Sequence, residues 1–326
     1  MRRLRRRSQK IRICTFILFF LTALGVVFGI GTYMKKKPPA LQGKLIYHSY
    51  TSYEAMDSEL FLYDFETGQL DCISKDWNHL KHPMNAHFSP DGKQFTFMAI
   101  SETNSWDIFL CGLDQEPQPV NLTPGSADRD EDPKFSPNGQ KIVFKRNDQL
   151  AELDLESKIV TMLLPDKAAC SMPFYSADGS KIVFSLGIGG NSSIAVLDLK
   201  TKEFQILYDR AGVQDYYPVS ADAESFYYTT GFSTKRSFDQ VYRGYWDGRT
   251  PVQLPFNCSI GDYSDAYPVN SEWAILSSTR LCGRGAYDLY LANTKSGKVI
   301  SLSKYNRHVN TGKNELGPCI FLEDTS

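Results

Sequence analysis

Short runs of β-branched, aromatic and aliphatic residues recur from about residue 44 to the end of the chain, each separated from the next by polar turn residues. The stretch Lys141–Phe144, Gln149–Leu155 and Ile159–Leu164 is representative. Runs this short, rich in β-formers and punctuated by turns, predict antiparallel strands rather than helices. Alternation is incomplete in segments such as Ile182-Val183-Phe184. Both faces of those strands are therefore expected to be buried, as when sheets stack face to face.

The strand pattern repeats. Pro83, Pro133, Pro173, Pro218, Pro268 and Pro318 recur at spacings of 50, 40, 45, 50 and 50 residues, and each is read as opening one unit. Three units continue into related turns, His87-Phe88-Ser89-Pro90-Asp91-Gly92, Lys134-Phe135-Ser136-Pro137-Asn138-Gly139 and Phe174-Tyr175-Ser176-Ala177-Asp178-Gly179. Pro presets φ, and Asn, Asp or Gly completes a tight turn. A period of 40 to 50 residues signals one supersecondary unit used repeatedly. Six strand triplets follow, near 44–74, 94–123, 141–164, 181–208, 225–254 and 273–302, with an innermost strand expected after each proline. A lone four-stranded sheet cannot bury both faces, whereas radial stacking around an axis can. The first triplet has no proline unit before it, and Leu316–Leu322 has no triplet after it. The C-terminal strand is thus expected to complete the N-terminal sheet, closing an all-β six-bladed propeller over residues 43–326.

The unit Pro-x-Phe-Ser-Pro-Asp-Gly-x-x-Ile-x-Phe resembles the PD40 (WD40-like) repeat of TolB-type six-bladed propellers, over about residues 43–322. The fourth copy, from Pro218, and the fifth, from Pro268, lack the Ser-Pro-Asp-Gly turn, and the sixth keeps little beyond Pro318. The resemblance implies a binding or docking propeller in the cell envelope or outside the cell. It does not imply one activity, because propellers host many.

The N-terminus departs from this pattern. Arg2, Arg3, Arg5, Arg6, Arg7, Lys10 and Arg12 make residues 1–12 a basic tail. Residues 13–33 are then 21 positions without a charge. As a helix such a segment reaches about 30 Å, one hydrocarbon core. Lys35, Lys36 and Lys37 follow, and residues 34–42 read as a short stiff tether. The excess of cations before the apolar run favours a single-pass protein with its N-terminus in the cytoplasm and its propeller in the periplasm or outside the cell. A cleaved signal peptide is the competing reading, although the apolar run is longer than a signal core and no clear cleavage site precedes the lysines.

Beyond residue 37 the chain carries 26 Lys and Arg against 37 Asp and Glu, a net charge of −11. That disfavours nucleic acid, which needs a basic stripe. It suits a cationic partner or simple solubility.

Of the two propeller faces, one carries tight turns and leaves little for a ligand. The other carries the longer loops 50–57, 101–105, 187–192, 231–238 and 278–285, where a site is expected. Asp130, Asp215 and Asp265 stand three residues before their prolines, and Glu315 is the variant before Pro318. These carboxylates either ring the channel mouth, where they suit a divalent cation or an amine, or accept backbone N–H bonds that fix the loops. Tyr216, Tyr217, Tyr263 and Tyr267 cluster at two adjacent blade entrances, with Tyr217 and Tyr267 read either as ligand contacts or as blade packing. His79, His82 and His87 surround Pro83. The resemblance adds a use for them, since some TolB-like propellers are pectin lyases that bind a divalent metal through histidines. Surface or loop histidines are the ordinary alternative.

No Gly-x-Ser-x-Gly elbow, P-loop or dinucleotide-binding glycine pattern occurs. Cys111 and Cys319 fall in strands and are expected to be buried thiols, while Cys258 and Cys282, on the loop face of neighbouring blades, form the disulfide candidate. The functional expectation is a membrane-anchored, non-catalytic propeller that binds a protein, peptide or glycan, with no cofactor beyond an optional divalent cation. The alternative is a metal-dependent, lyase-like enzyme acting on glycans.

Overall fold

The computed structural model describes residues 38–113, 117–125, 127–164, 169–187, 191–232 and 238–323. The basic tail 1–12, the apolar segment 13–33 and residues 34–37 of the tether lie outside the described residues. Among the described residues no helix is long and apolar enough to cross a membrane.

Six four-stranded antiparallel sheets make the blades. Blade 2 comprises Lys81–Phe88, Gln94–Ile100, Trp106–Gly112 and Val120–Asn121, from axis to rim. Blades 3 to 6 repeat that order, starting from innermost strands Asp130–Phe135, Cys170–Tyr175, Val213–Ser220 and Tyr263–Pro268. Blade 1 is composite. Its outer strands, Lys44–Tyr50, Glu59–Asp64 and Leu70–Cys72, are completed at the axis by the C-terminal strand Asn314–Phe321. That strand runs antiparallel to Lys44–Tyr50, with Ile320 opposite Leu45 and Cys319 opposite Ile46. The chain enters on the tight-turn face, where Gly43 adopts φ +106° against the backbone of Phe321 and Leu322.

The incomplete alternation of the strands has its cause in stacking. Each junction between neighbouring blades holds its own apolar cluster, fed by both sheets. Between blades 2 and 3, for example, Met98 and Ile108 meet Ile142 and Phe144. Between blades 6 and 1, Ile275 and Leu291 meet Leu45 and Tyr47. Fully burying such side chains stabilises by about 1.5–3 kcal/mol each.

The tight turns also obey their sequence. Ser89 Oγ donates to Asp91 (2.6 Å), and Ser136 and Ser176 make the same bond to Asn138 (2.7 Å) and Asp178 (2.6 Å). In the copies that lack this motif, Asp222 and Asn270 accept backbone N–H bonds from the residues two and three positions on.

The prolines do not stand before the innermost strands; they lie within them. In every blade two consecutive residues of the innermost strand oppose one residue of its neighbour, a β-bulge. The pairs are Asn85-Ala86, Asp132-Pro133, Met172-Pro173, Tyr217-Pro218, Asp265-Ala266 and Gly317-Pro318. The second bulge position makes no ladder bond and therefore admits proline. Pro83 and Pro268 are not equivalents of the other four, because Ala86 and Ala266 occupy that place.

Candidate functional site

The first residue of each bulge projects at the axis. Asn85, Asp132, Met172, Tyr217, Asp265 and Gly317 all adopt φ between 52° and 59°. Only one of the six is glycine, so five side chains are held in a backbone region that L-residues avoid. Backbone strain of this kind costs on the order of 1–3 kcal/mol per residue and concentrates at functional sites.

The ring is cross-linked by polar contacts. Asn85 Nδ2 donates to Asp132 Oδ1 (2.7 Å), and Gly317 N–H donates to Asp265 Oδ2 (3.2 Å). Ser264 Oγ donates to Asp265 Oδ1 (2.7 Å), and Asn85 N–H reaches His48 Nδ1 (3.4 Å). Two residues further along each strand lies a second layer of His87, Lys134, Phe174, Val219, Tyr267 and Cys319. The Lys134 ammonium is buried and donates to the Pro133 carbonyl (3.1 Å). His87 Nδ1 accepts from Phe135 N–H (3.2 Å), and its Nε2 lies 3.4 Å from the Tyr267 hydroxyl.

Burial governs the charges here. It pushes the Asp132 and Asp265 carboxyls up and the Lys134 ammonium down, while attraction between the ammonium and both carboxylates opposes the shifts. Burial also lowers His87 well below its ordinary value and takes His48 down to about 3, with His82 and Lys134 adding to the latter. Both imidazoles are therefore neutral near pH 7.

The axis opens on both faces. On the long-loop face a cavity of about 340 Å³ is lined by Asn85, Asp132, Met84, Met98, Met172, Tyr53, Tyr216 and Lys145, among others. The tight-turn face also has an opening, against expectation. A pit of about 230 Å³ lies among His87, Phe135, Phe174 and Tyr267, with Ala177 and Ala221 in its wall.

The sequence candidates divide. Asp130, Asp215 and Glu315 occupy equivalent strand positions, fully buried, and each is held within its own blade rather than ringing the mouth. Asp130 takes Arg146 bidentately (2.8 and 2.7 Å). Asp215 takes Arg210 (2.8 Å) and Thr230 (2.7 Å), and Glu315 takes Thr311 (2.5 Å) and Ser49 (3.0 Å). Asp265 is the exception, since it stands two places later, in the axial ring. Tyr217 and Tyr267 project to the axis and pack against the cluster between blades 4 and 5. Tyr216 lines the long-loop cavity, with its hydroxyl bonded to Asp239 (2.7 Å).

The three histidines go to three places. His79 is exposed. His82 is buried among Tyr50, Tyr53 and Trp106, with Nδ1 accepting from Ser58 N–H (3.1 Å). His87 lies at the axis. Among the described residues no three His, Cys, Asp or Glu side chains are grouped to hold a metal ion.

The six described cysteines are thiols, with Cys258 half-buried and Cys282 exposed. Burial raises Cys111 and Cys170 to about 12 and Cys319 to about 11. Iodoacetamide on the native protein is expected to modify Cys282 first and to spare these three. Peptide mass spectrometry showing Cys282 protected by a bond to Cys258 would overturn the thiol assignment.

Asp132, Asn85 and Met172 were not singled out by sequence. Their signal is register: each lies four residues before the turn serine, Ser136, Ser89 or Ser176.

No family model matches this chain. Among solved structures, TolB from Acinetobacter baumannii superposes with a TM-score of 0.66 at 17% identity, over 89% of this chain and 69% of that one. The putative TolB from Agrobacterium tumefaciens gives 0.59 at 14%, over 81% and 89%. The fold is that of a TolB-like six-bladed propeller. An oligogalacturonate lyase in complex with manganese also shares it, with a TM-score of 0.53 at 13% identity, over 80% of this chain and 74% of that one. At such identities the likeness is one of fold, so function in this TolB-like propeller must be argued from its own site.

Proposed function

We propose that this chain is a membrane-tethered propeller that docks a protein or peptide partner outside the cytoplasm, at the axial cavity of its long-loop face. The observation that carries this reading is the cavity itself, which opens over the ring of left-handed residues and is lined by thioether, aromatic and carboxylate groups. Mixed walls with a few fixed polar groups are what ligand sites use. Thioethers adapt to irregular partners. The basic tail and apolar run at the N-terminus support the tether, and the acidic remainder of the chain supports an extracytoplasmic partner of opposite charge. The long-loop face lies opposite the face on which Gly43 leads into the first strand.

The manganese held by the oligogalacturonate lyase raises a metal-dependent reaction as an alternative. The residues here do not fit it. His79 is exposed, His82 is enclosed by aromatic rings, and His87 is bonded to Phe135 and Tyr267. No catalytic step is derived through a metal.

The test is site-specific photocrosslinking in the full chain, in membranes of cells that make it. A photoreactive residue replacing Met172 in the cavity is expected to give discrete adducts. One replacing Lys200, exposed on the opposite face, should give none. Absence of adducts at 172, or the same adducts at both positions, would remove the proposal.

A further inference from the structure

Resting on the docking reading, we propose that the long-loop cavity binds a primary ammonium group of the partner peptide, with Asp132 as its counter-charge.

The charge balance at the axis is incomplete. Two buried carboxylates, Asp132 and Asp265, share one buried ammonium, Lys134. Lys134 does not hydrogen-bond either of them, since it donates to Pro133 O. The cavity wall repeats the imbalance, with Glu131, Asp132 and Asp148 set against Lys145 alone. Glu131 is committed to Lys145 (2.5 Å) and Arg129 (2.7 Å). Asp148 is an exposed rim residue 3.5 Å from Lys145. Asp132 differs from both, being 7% exposed. Its Oδ1 accepts from Asn85, and its own N–H is spent on Met98 Sδ (3.4 Å). Among the described residues no hydrogen-bond donor is seated on Oδ2. A buried carboxylate with one oxygen open to a cavity it lines is a site for a donor that carries positive charge.

The chemistry of that donor follows from what surrounds Oδ2. A guanidinium binds a carboxylate best through two parallel bonds. Asn85 already takes one lone pair of Oδ1, which crowds a fork that must use both oxygens. An ammonium is a point charge and needs only the remaining oxygen. The Asn85 amide donates through Nδ2, which leaves its Oδ1 as a second acceptor beside Asp132. A divalent cation would require six or more oxygens, whereas Met98 and Met172 offer thioethers. Those thioethers and the Tyr53 and Tyr216 rings suit the alkyl stem behind an ammonium. Both a lysine side chain and a peptide N-terminus carry this group.

The experiment uses the full chain in detergent micelles, with methionine methyl groups labelled with carbon-13. Met98 and Met172 report on the cavity. n-Butylammonium is expected to shift both methyls saturably. Nα-acetyl-norleucinamide, which lacks the charge, should leave them unmoved. Nα-acetyl-lysinamide and alaninamide distinguish a side-chain from an N-terminal source, and response to either supports the proposal. Asp132→Asn should weaken n-butylammonium by about tenfold or more. Should that variant fail to fold, Met172→Lys decides, because its own ammonium would occupy the site and abolish the response. An n-butylammonium midpoint unchanged in Asp132→Asn or in Met172→Lys overturns the proposal, as does an equal response to the neutral probe. Photo-adducts at 172 without any n-butylammonium response would keep the docking face and remove the amine chemistry. A response without adducts would do the reverse.

Discussion

A chain ending at Lys313 does not fold. The expected result is loss of the near-ultraviolet circular dichroism of the buried aromatics and rapid proteolysis throughout the propeller. The missing segment is the innermost strand of blade 1, and among the described residues every other strand is already paired in its own blade. Lys44–Tyr50 would lose its axial partner along its length. Cys319 would leave the cluster between blades 1 and 2, and Ile320 the cluster between blades 6 and 1. The Gly317 N–H that ties blade 1 to Asp265 of blade 6 would go as well. Each buried aliphatic contributes about 1.5–3 kcal/mol, and the whole domain has only about 5–15 kcal/mol to lose. The truncation also opens the ring, exposing an edge strand at the axis. A synthetic peptide of residues 314–326 added in trans should restore the signal at high concentration, because binding to the closed state stabilises it. Native melting of the truncated chain would show that the composite blade is not what closes the propeller.

This closure was legible because it is a matter of counting. Six triplets and six innermost segments, offset by one, admit only the pairing of the first with the last. The turns were legible too, since Ser89-Pro90-Asp91-Gly92 and its copies state their own geometry. The site was less so, for two physical reasons. Proline marks any backbone position without a ladder bond, so Pro83, in a separate bulge earlier in its strand, and Pro268, at the far end of its own, imitated the prolines of the axial bulges. Aligning on them moved Asp265 into the class of Asp130, Asp215 and Glu315, and hid Asp132. The second reason is that a carboxylate's role depends on its partner, and the partners do not repeat. Asp130 is met by Arg146 from the next strand, Asp215 by Arg210 from five residues earlier, and Glu315 by Thr311 from four residues earlier. A recurring acid with non-recurring partners looks, in sequence, like a ring of open ligands.

Asp130→Ala, for that reason, should act on stability rather than on binding. Asp130 is wholly buried, and both of its oxygens are engaged by the Arg146 guanidinium. Removing the acid leaves a mostly buried guanidinium whose remaining carboxylate contact is Asp128 at 3.6 Å. Breaking one side of a buried ion pair costs about 3–5 kcal/mol, mainly the desolvation of the charge left behind. Urea denaturation should therefore show an unfolding free energy lowered by that amount, read as a lower midpoint at unchanged slope. Arg146→Ala should cost a similar amount. The double variant should cost less than the sum of the two, since neither charge is then stranded. Asp132→Asn presents the opposite case. It removes a charge that has no cationic hydrogen-bond partner, so it should unsettle the fold far less while weakening amine binding. Were Asp130→Ala to unfold within about 1 kcal/mol of the parent protein, the pair with Arg146 would not be what anchors this end of the strand. The distinction between an anchoring acid and a receiving one would then have to be drawn at the other end of the strand.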